Sequence, residues 1–281
     1  MYKNILVAFD GSESGKNALD QAASLSRETG CNMAAVIVRP PVNADLGTPG
    51  ADRAGILYKE TGIDRVPSIK TAIECPVIEA TEVEGMTYKA IIDAAIARDA
   101  DLIVMGRIGS TGLERVLLGS VTSRVIGYSP IDILVVPKDT VVGWRTMLLA
   151  IDGSTYSSAA AERAIELAKE HNANLKIISV ADIPYEAYGD DPEFLNKMLG
   201  VAKNVVGSGK ARAEEFEVNT EAIVRDGPAH EEIVEAAKEV KANLIIMGSH
   251  GRTGLERILM GSVTERVIGH SPCPVLVVKS H

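Results

Sequence analysis

Cysteine is scarce: there are three in 281 residues, and Cys31, Cys75 and Cys273 form no CxxC or other metal-ligand spacing. That excludes a disulfide framework and a cysteine metal centre, so the thiols are expected as reduced core residues. Excess positive charge is missing as well. A formal net charge of −9 leaves no basic face to neutralise a phosphate backbone, which argues against nucleic acid as a partner. No apolar run approaches the ~20 residues of a membrane span. The opening MYKNILVAFD lacks the basic and apolar regions of a signal peptide. No membrane contact is expected, and the expected compartment is the cytoplasm.

What the chain does have is a copy of itself. MGRIGSTGLERVLLGSVTSRVIGYSP at 105–130 returns as MGSHGRTGLERILMGSVTERVIGHSP at 247–272, and Asp10-Gly11-Ser12 returns as Asp152-Gly153-Ser154 at the same offset of 142 residues. About two-thirds of positions in 102–136 are identical in the second copy, far more than shared periodicity produces. Each unit is a domain long, so two like domains in tandem are expected, residues 1–138 and 145–281 with a linker at 139–144.

Within a unit, short apolar runs alternate with helical patterns. NILVAFD (4–10), NMAAVIV (32–38) and DLIVMG (101–106) suit parallel strands covered on both faces. Residues 13–29 carry Ala18, Ala22 and Leu25 on one side and stop at Gly30, which predicts a helix with a C-terminal glycine. The second unit repeats the scheme in TMLLAID, a helix with Ala160, Ala164 and Leu167, then NLKIISV, NTEAIV, a helix around 229–240, NLIIMG and PVLVV. Strand, helix, strand throughout implies a doubly wound α/β sheet. Residues 39–73, broken by Pro40, Pro41, Pro49 and Pro67, give the weakest pattern, whereas the counterpart 184–215 is more clearly helical.

The glycine-rich segments therefore run from the carboxyl end of a buried strand into a helix starting near Gly261-Ser262, where open α/β sheets bind ligands. Glycines there allow positive φ and close approach of backbone, and the helix start attracts an anion. Ser262 and Thr264 add hydroxyl donors, and Arg252 or His250 could offset charge farther along a phosphate ligand. Other phosphate motifs fail. GSESGK at 11–16 has three residues between its glycines where a P-loop has four, and no strand end carries GxGxxG.

The spacing Gly106-x2-Gly109-x9-Gly119-Ser120, repeated as Gly248-x2-Gly251-x9-Gly261-Ser262 with Asp-Gly-Ser ending each unit's first strand, resembles the universal stress protein family over essentially the whole chain. The resemblance implies two tandem five-stranded parallel sheets in order 3-2-1-4-5, of the adenine-nucleotide α-hydrolase-like type, and binding of ATP or AMP. It places adenine against Val38 and Val180 with Met105 and Met247 close by, and ribose or a metal-bridged phosphate at Asp10 and Asp152. Ribose and phosphates would fall to Gly106, Gly109, Gly119, Ser120, Val121 and Thr122, and to Gly248, His250, Gly251, Gly261, Ser262, Val263 and Thr264. A carboxylate beside a triphosphate needs a cation between them, so Mg²⁺ would accompany ATP. Helix capping is the plainer role for the two aspartates.

No nucleophile, base and orienter recur in both units. Glu114-Arg115 and Glu256-Arg257 suit a solvated or domain-contact pair, and His270 corresponds to Tyr128 in the first copy, which argues against a shared catalytic role for it. The expected function is thus a nucleotide-binding stress-response regulator that acts on an unidentified protein partner. A slow Mg²⁺-dependent ATP hydrolase is the alternative, and a structural module with vestigial sites a third. The apolar final strands DILVVP and PVLVVK are expected to pair the units as an intramolecular pseudo-dimer, with homodimerisation as a further step.

Overall fold

The computed structural model describes residues 2–39, 78–84, 86–109, 118–182, 192–251 and 260–280. The chain divides into two compact units, Tyr2–Asp139 and Thr140–His281.

The first unit holds β1 (Asn4–Ala8), α1 (Glu13–Thr29), β2 (Asn32–Arg39), β3 (Ile78–Glu84), α2 (Thr87–Ile96), β4 (Leu102–Gly106), α3 (Ser120–Tyr128) and β5 (Asp132–Val136). All pairings are parallel, in the order β3-β2-β1-β4-β5. The burial that the apolar runs implied is realised: Leu6, Val7, Ile103, Val104, Ile133 and Val135 are fully enclosed. Helix α1 packs on β1, β2, β4 and β5, while α2 packs on β2, β3 and α3. The first of these helices begins at Ser12, whose Oγ accepts from the Gly15 N–H at 2.9 Å, and ends at Gly30 with φ of 72°. That left-handed angle is the reason for a glycine there.

The second unit repeats the plan with β6 (Thr146–Ala150), α4 (Thr155–His171), β7 (Asn174–Asp182), α5 (Pro192–Glu215), β8 (Thr220–Gly227), α6 (Ala229–Glu239), β9 (Leu244–Gly248), α7 (Ser262–His270) and β10 (Val275–Val278). Its order is β8-β7-β6-β9-β10, again all parallel. In each unit the chain winds outward over three strands and then returns to the other side of the first. The reversal falls between β1 and β4, and between β6 and β9, so a crevice opens there at the carboxyl ends of the strands. Asp10 and Gly106 lie at that point in one unit, Asp152 and Gly248 in the other.

Candidate functional site

A cavity of about 250 Å³ occupies this point in the second unit. Of the residues expected from sequence, Asp152, Val180, Met247, Gly248, His250, Gly251, Gly261, Ser262, Val263 and Thr264 line it. Arg252 lies outside the described residues, as do Glu114, Arg115, Glu256 and Arg257.

Sequence reasoning missed Ala150, Ile151, Ser157, Ile178, Asp182, Ala229 and Ile233, which complete the lining. Some left a signal. Ile178 and Asp182 flank Val180 at strand period two, so all three share a face of β7. Ala229 and Ile233 are four apart on α6 and share a helical face, but nothing in sequence says that this face closes a cavity around the end of β7. Asp182 fixes that helix: its Oδ1 accepts from the Ala229 N–H at 2.9 Å.

The glycines act differently from the expectation. Positive φ occurs at Gly11 (81°) and Gly153 (83°), in the Asp-Gly-Ser turns, and not at Gly248, Gly251 or Gly261. What the described motif glycines supply is closeness to protein. A Cβ on Gly248 would stand 2.8 Å from the backbone carbonyl of Tyr156, and one on Gly251 would stand 2.8 Å from Asp152 Oδ2. The strand end is thereby pressed against the start of α4 and against the Asp152 carboxylate. Asp152 is no helix cap: its Oδ1 accepts from the Ser154 N–H at 3.0 Å and shapes the turn, while Ser154 caps α4 by accepting from the Ser157 N–H at 3.1 Å. Asp10 and Ser12 divide the same tasks in the first unit.

The donors also sort themselves. Helix α7 starts at Gly261 with no side-chain cap among the described residues, and its first turn, Ser262 to Thr264, lines the crevice with its N–H groups. Ser262 is exposed beside them. Thr264 is not the expected hydroxyl donor to a ligand, because its Oγ1 proton goes to the Gly248 carbonyl at 3.0 Å, and Thr122 gives its proton to Gly106 in the same way. These buried threonines fasten the helix start to the strand end. The charge arrangement thus pairs a carboxylate with a positive helix end across an apolar floor of Ile178, Val180, Ile233 and Met247.

The first unit keeps Asp10, Gly106, Gly109, Gly119 and Ser120 in equivalent places, with Val38 half-buried, Met105 buried and Val121 in the first turn of α3. A Cβ on Gly109 would lie 2.7 Å from Asp10 Oδ2. One surrounding differs. His250 sits beside the Tyr156 ring, centroids 5.0 Å apart, whereas the equivalent Ile108 is held by its backbone, its carbonyl accepting from Ser14 Oγ at 2.5 Å. Arg107 replaces the fully buried Ser249, and burial depresses the pKa of its guanidinium below the ordinary arginine value. Among the described residues no three His, Cys, Asp or Glu side chains gather as a metal cage, so a cation at Asp10 or Asp152 would need oxygens from its ligand.

Comparison with known proteins follows the same lines. A family model described as the universal stress protein family matches residues 1–137 and again 143–279. A universal stress protein of Methanocaldococcus jannaschii is 41% identical over 140 residues, which is 48% of this chain and 82% of the relative. Universal stress protein YxiE of Bacillus subtilis is 36% identical over 148 residues, 48% of this chain and 99% of its own. The solved structure of a universal stress protein from Archaeoglobus fulgidus aligns with a TM-score of 0.66 over 99% of this chain and 96% of that one. At 24% identity it speaks for the fold alone. No helix among the described residues is long and apolar enough to cross a membrane.

Proposed function

The chain belongs to the universal stress protein family, and from that premise we propose that it is a regulatory protein that binds an adenine nucleotide, ATP or AMP, in the second unit's cavity, with a weaker site in the first. The observation that carries this reading is the uncapped start of α7 at one end of an apolar cavity that also holds Asp152.

Sheet order gives the ligand a direction. Neighbouring strands lie about 4.8 Å apart, so the ends of β7 and β9 are separated by about 10 Å. The apolar side chains of Val180, Ile178 and Ile233 suit a base over β7. Asp152 at the end of β6 suits ribose hydroxyls or a cation bound to phosphate. The glycine loop after β9 and the N-terminus of α7 suit the phosphates, with the Ser262 hydroxyl as a further donor. Asp152 would hold a Mg²⁺ that arrives with a triphosphate, and the cation would neutralise phosphate charge there. Occupancy links β7, β6, α6 and α7 through one molecule, and a ligand that favours that closed arrangement shifts its population for a partner protein to sense.

Calorimetry with ATP and AMP on the wild type and on Gly261→Val tests the reading. The branched side chain is expected to block phosphate approach and abolish second-site binding while unfolding stays cooperative. Unchanged affinity after that substitution overturns the site. Phosphate release measured on the same proteins separates a regulator from a slow hydrolase.

A further inference from the structure

Two histidines stand where the repeat has two tyrosines. In the first unit Tyr88 on α2 stacks on Tyr128 of α3, centroids 5.3 Å apart, with the Arg124 guanidinium 5.6 Å over the Tyr88 ring. In the second unit His230 on α6 faces His270 of α7, centroids 6.3 Å apart, and Arg266 takes the place of Arg124. His230 follows Ala229, which lines the cavity and is tied to Asp182, so the pair sits beside the cavity's wall.

We propose that the His230–His270 pair is a proton-sensitive latch: acidification loosens α6 from α7 and weakens ligand binding in the second unit only. His270 Nδ1 donates to the Arg266 carbonyl at 2.8 Å, which fixes its tautomer. His230 is the second residue of α6, where the positive helix end disfavours a cation. Burial, then Arg266 and His270, lower its proton affinity, outweighing Glu231 on its own helix and Asp182 on β7. Its side chain is 17% exposed and its Nε2 lies 3.7 Å from Glu231 Oε1, an ion pair only once the ring is protonated.

A histidine whose folded pKa lies below its unfolded value favours folding while neutral. Its contribution is complete above the unfolded value of about 6.5, declines as pH falls, and is lost below the folded value. Histidine is the one ordinary side chain that changes charge between about pH 5 and 8, so the tyrosine pair gives the first unit no such response.

The effect on ligand rests on the nucleotide reading above, whereas the loosening of α6 does not, and the experiment separates them. Amide exchange across residues 229–239 is measured in the nucleotide-free full chain at about pH 7.5 and about pH 5.5, in the wild type and in His230→Tyr/His270→Tyr, which installs the first unit's pair. After correction for intrinsic exchange, a loss of protection of about threefold or more is expected in the wild type and none in the double mutant. Equal behaviour of the two proteins overturns the latch. If the tyrosine pair does not fold, His230→Gln, which cannot titrate, serves with the same expectation. ATP affinity is then titrated at both pH values in a Gly119→Val background, with and without the latch substitutions, so that protonation of the nucleotide itself cancels between the two proteins. On acidification, affinity falling about threefold more with the histidine pair than with the tyrosine pair supports the link to the site. Identical pH profiles overturn that link, and no ATP binding at any pH overturns the nucleotide reading while the exchange result still judges the latch.

Discussion

A Cβ at Gly248 would meet the Tyr156 backbone at 2.8 Å, while one at Gly261 would meet the His250 Cα at 3.3 Å. The first contact is with main chain that cannot step aside, the second with a loop that can yield slightly. Gly248→Ala is therefore expected to destabilise the second unit by about 1–3 kcal/mol and Gly261→Ala by less than about 1 kcal/mol, measured by denaturant unfolding. Equal losses would refute the division between a glycine needed for packing and one needed for ligand approach. His250 and Ile108 raise a related question of chemistry. Ile108 offers no side-chain hydrogen bond, so the first site is expected to bind ATP at least about tenfold more weakly, the scale of one charge-assisted contact partly exposed. Titrating Gly119→Val and Gly261→Val, each leaving one site, checks this, and Ile108→His with Ser110→Arg should narrow the gap. Cys273 belongs to neither site. Burial pushes its thiol up to about 11, so Cys273 in the native protein is expected to resist thiol labelling near neutral pH and to react only on unfolding, read by mass spectrometry of its peptide.

Helices α1 and α4 start on serine caps, and α3 and α7 start on glycines with no side-chain cap among the described residues. Removing the cap by Ser154→Ala is expected to cost about 1 kcal/mol in unfolding experiments and to leave ATP affinity nearly unchanged, since the Asp152 carboxylate keeps its bond to the turn. A large loss of binding without a loss of stability would give Ser154 a direct role at the ligand. The contrast between capped and uncapped starts was half legible in sequence. Ser12 and Ser154 precede clear helical patterns, and the apolar strands with α1 ending at Gly30 follow from local periodicity. β3 escaped because its apolar residues Ile78, Ala80 and Val83 follow a proline-broken stretch and form neither a continuous run nor a strict alternation. The inward turn of the Thr122 and Thr264 hydroxyls was also illegible, because a buried carbonyl one strand away decides it. Asp182 and Ile233 were missed for the same reason: they reach the site only when β7 and α6 pack.

Each unit carries a complete five-stranded sheet with its own order reversal, and its own fully buried residues, such as Leu6 and Ile103 in one and Leu148 and Ile246 in the other. Every described residue lining the second unit's cavity falls between Ala150 and Thr264, inside the unit Thr140–His281. The described parts of the site thus come from one copy of the duplication. At about 140 residues such a unit lies in the size range where a single core suffices for cooperative folding. Residues 140–281 expressed alone are expected to unfold in one transition and to bind ATP within about threefold of the full chain, a factor below about 1 kcal/mol and within the tolerance of additive, distant sites. The measurement is calorimetry beside thermal unfolding on the isolated unit. Cooperative unfolding with ATP binding lost would show that the cavity is completed from the first unit, and would move the ligand's recognition from the copy to the pair.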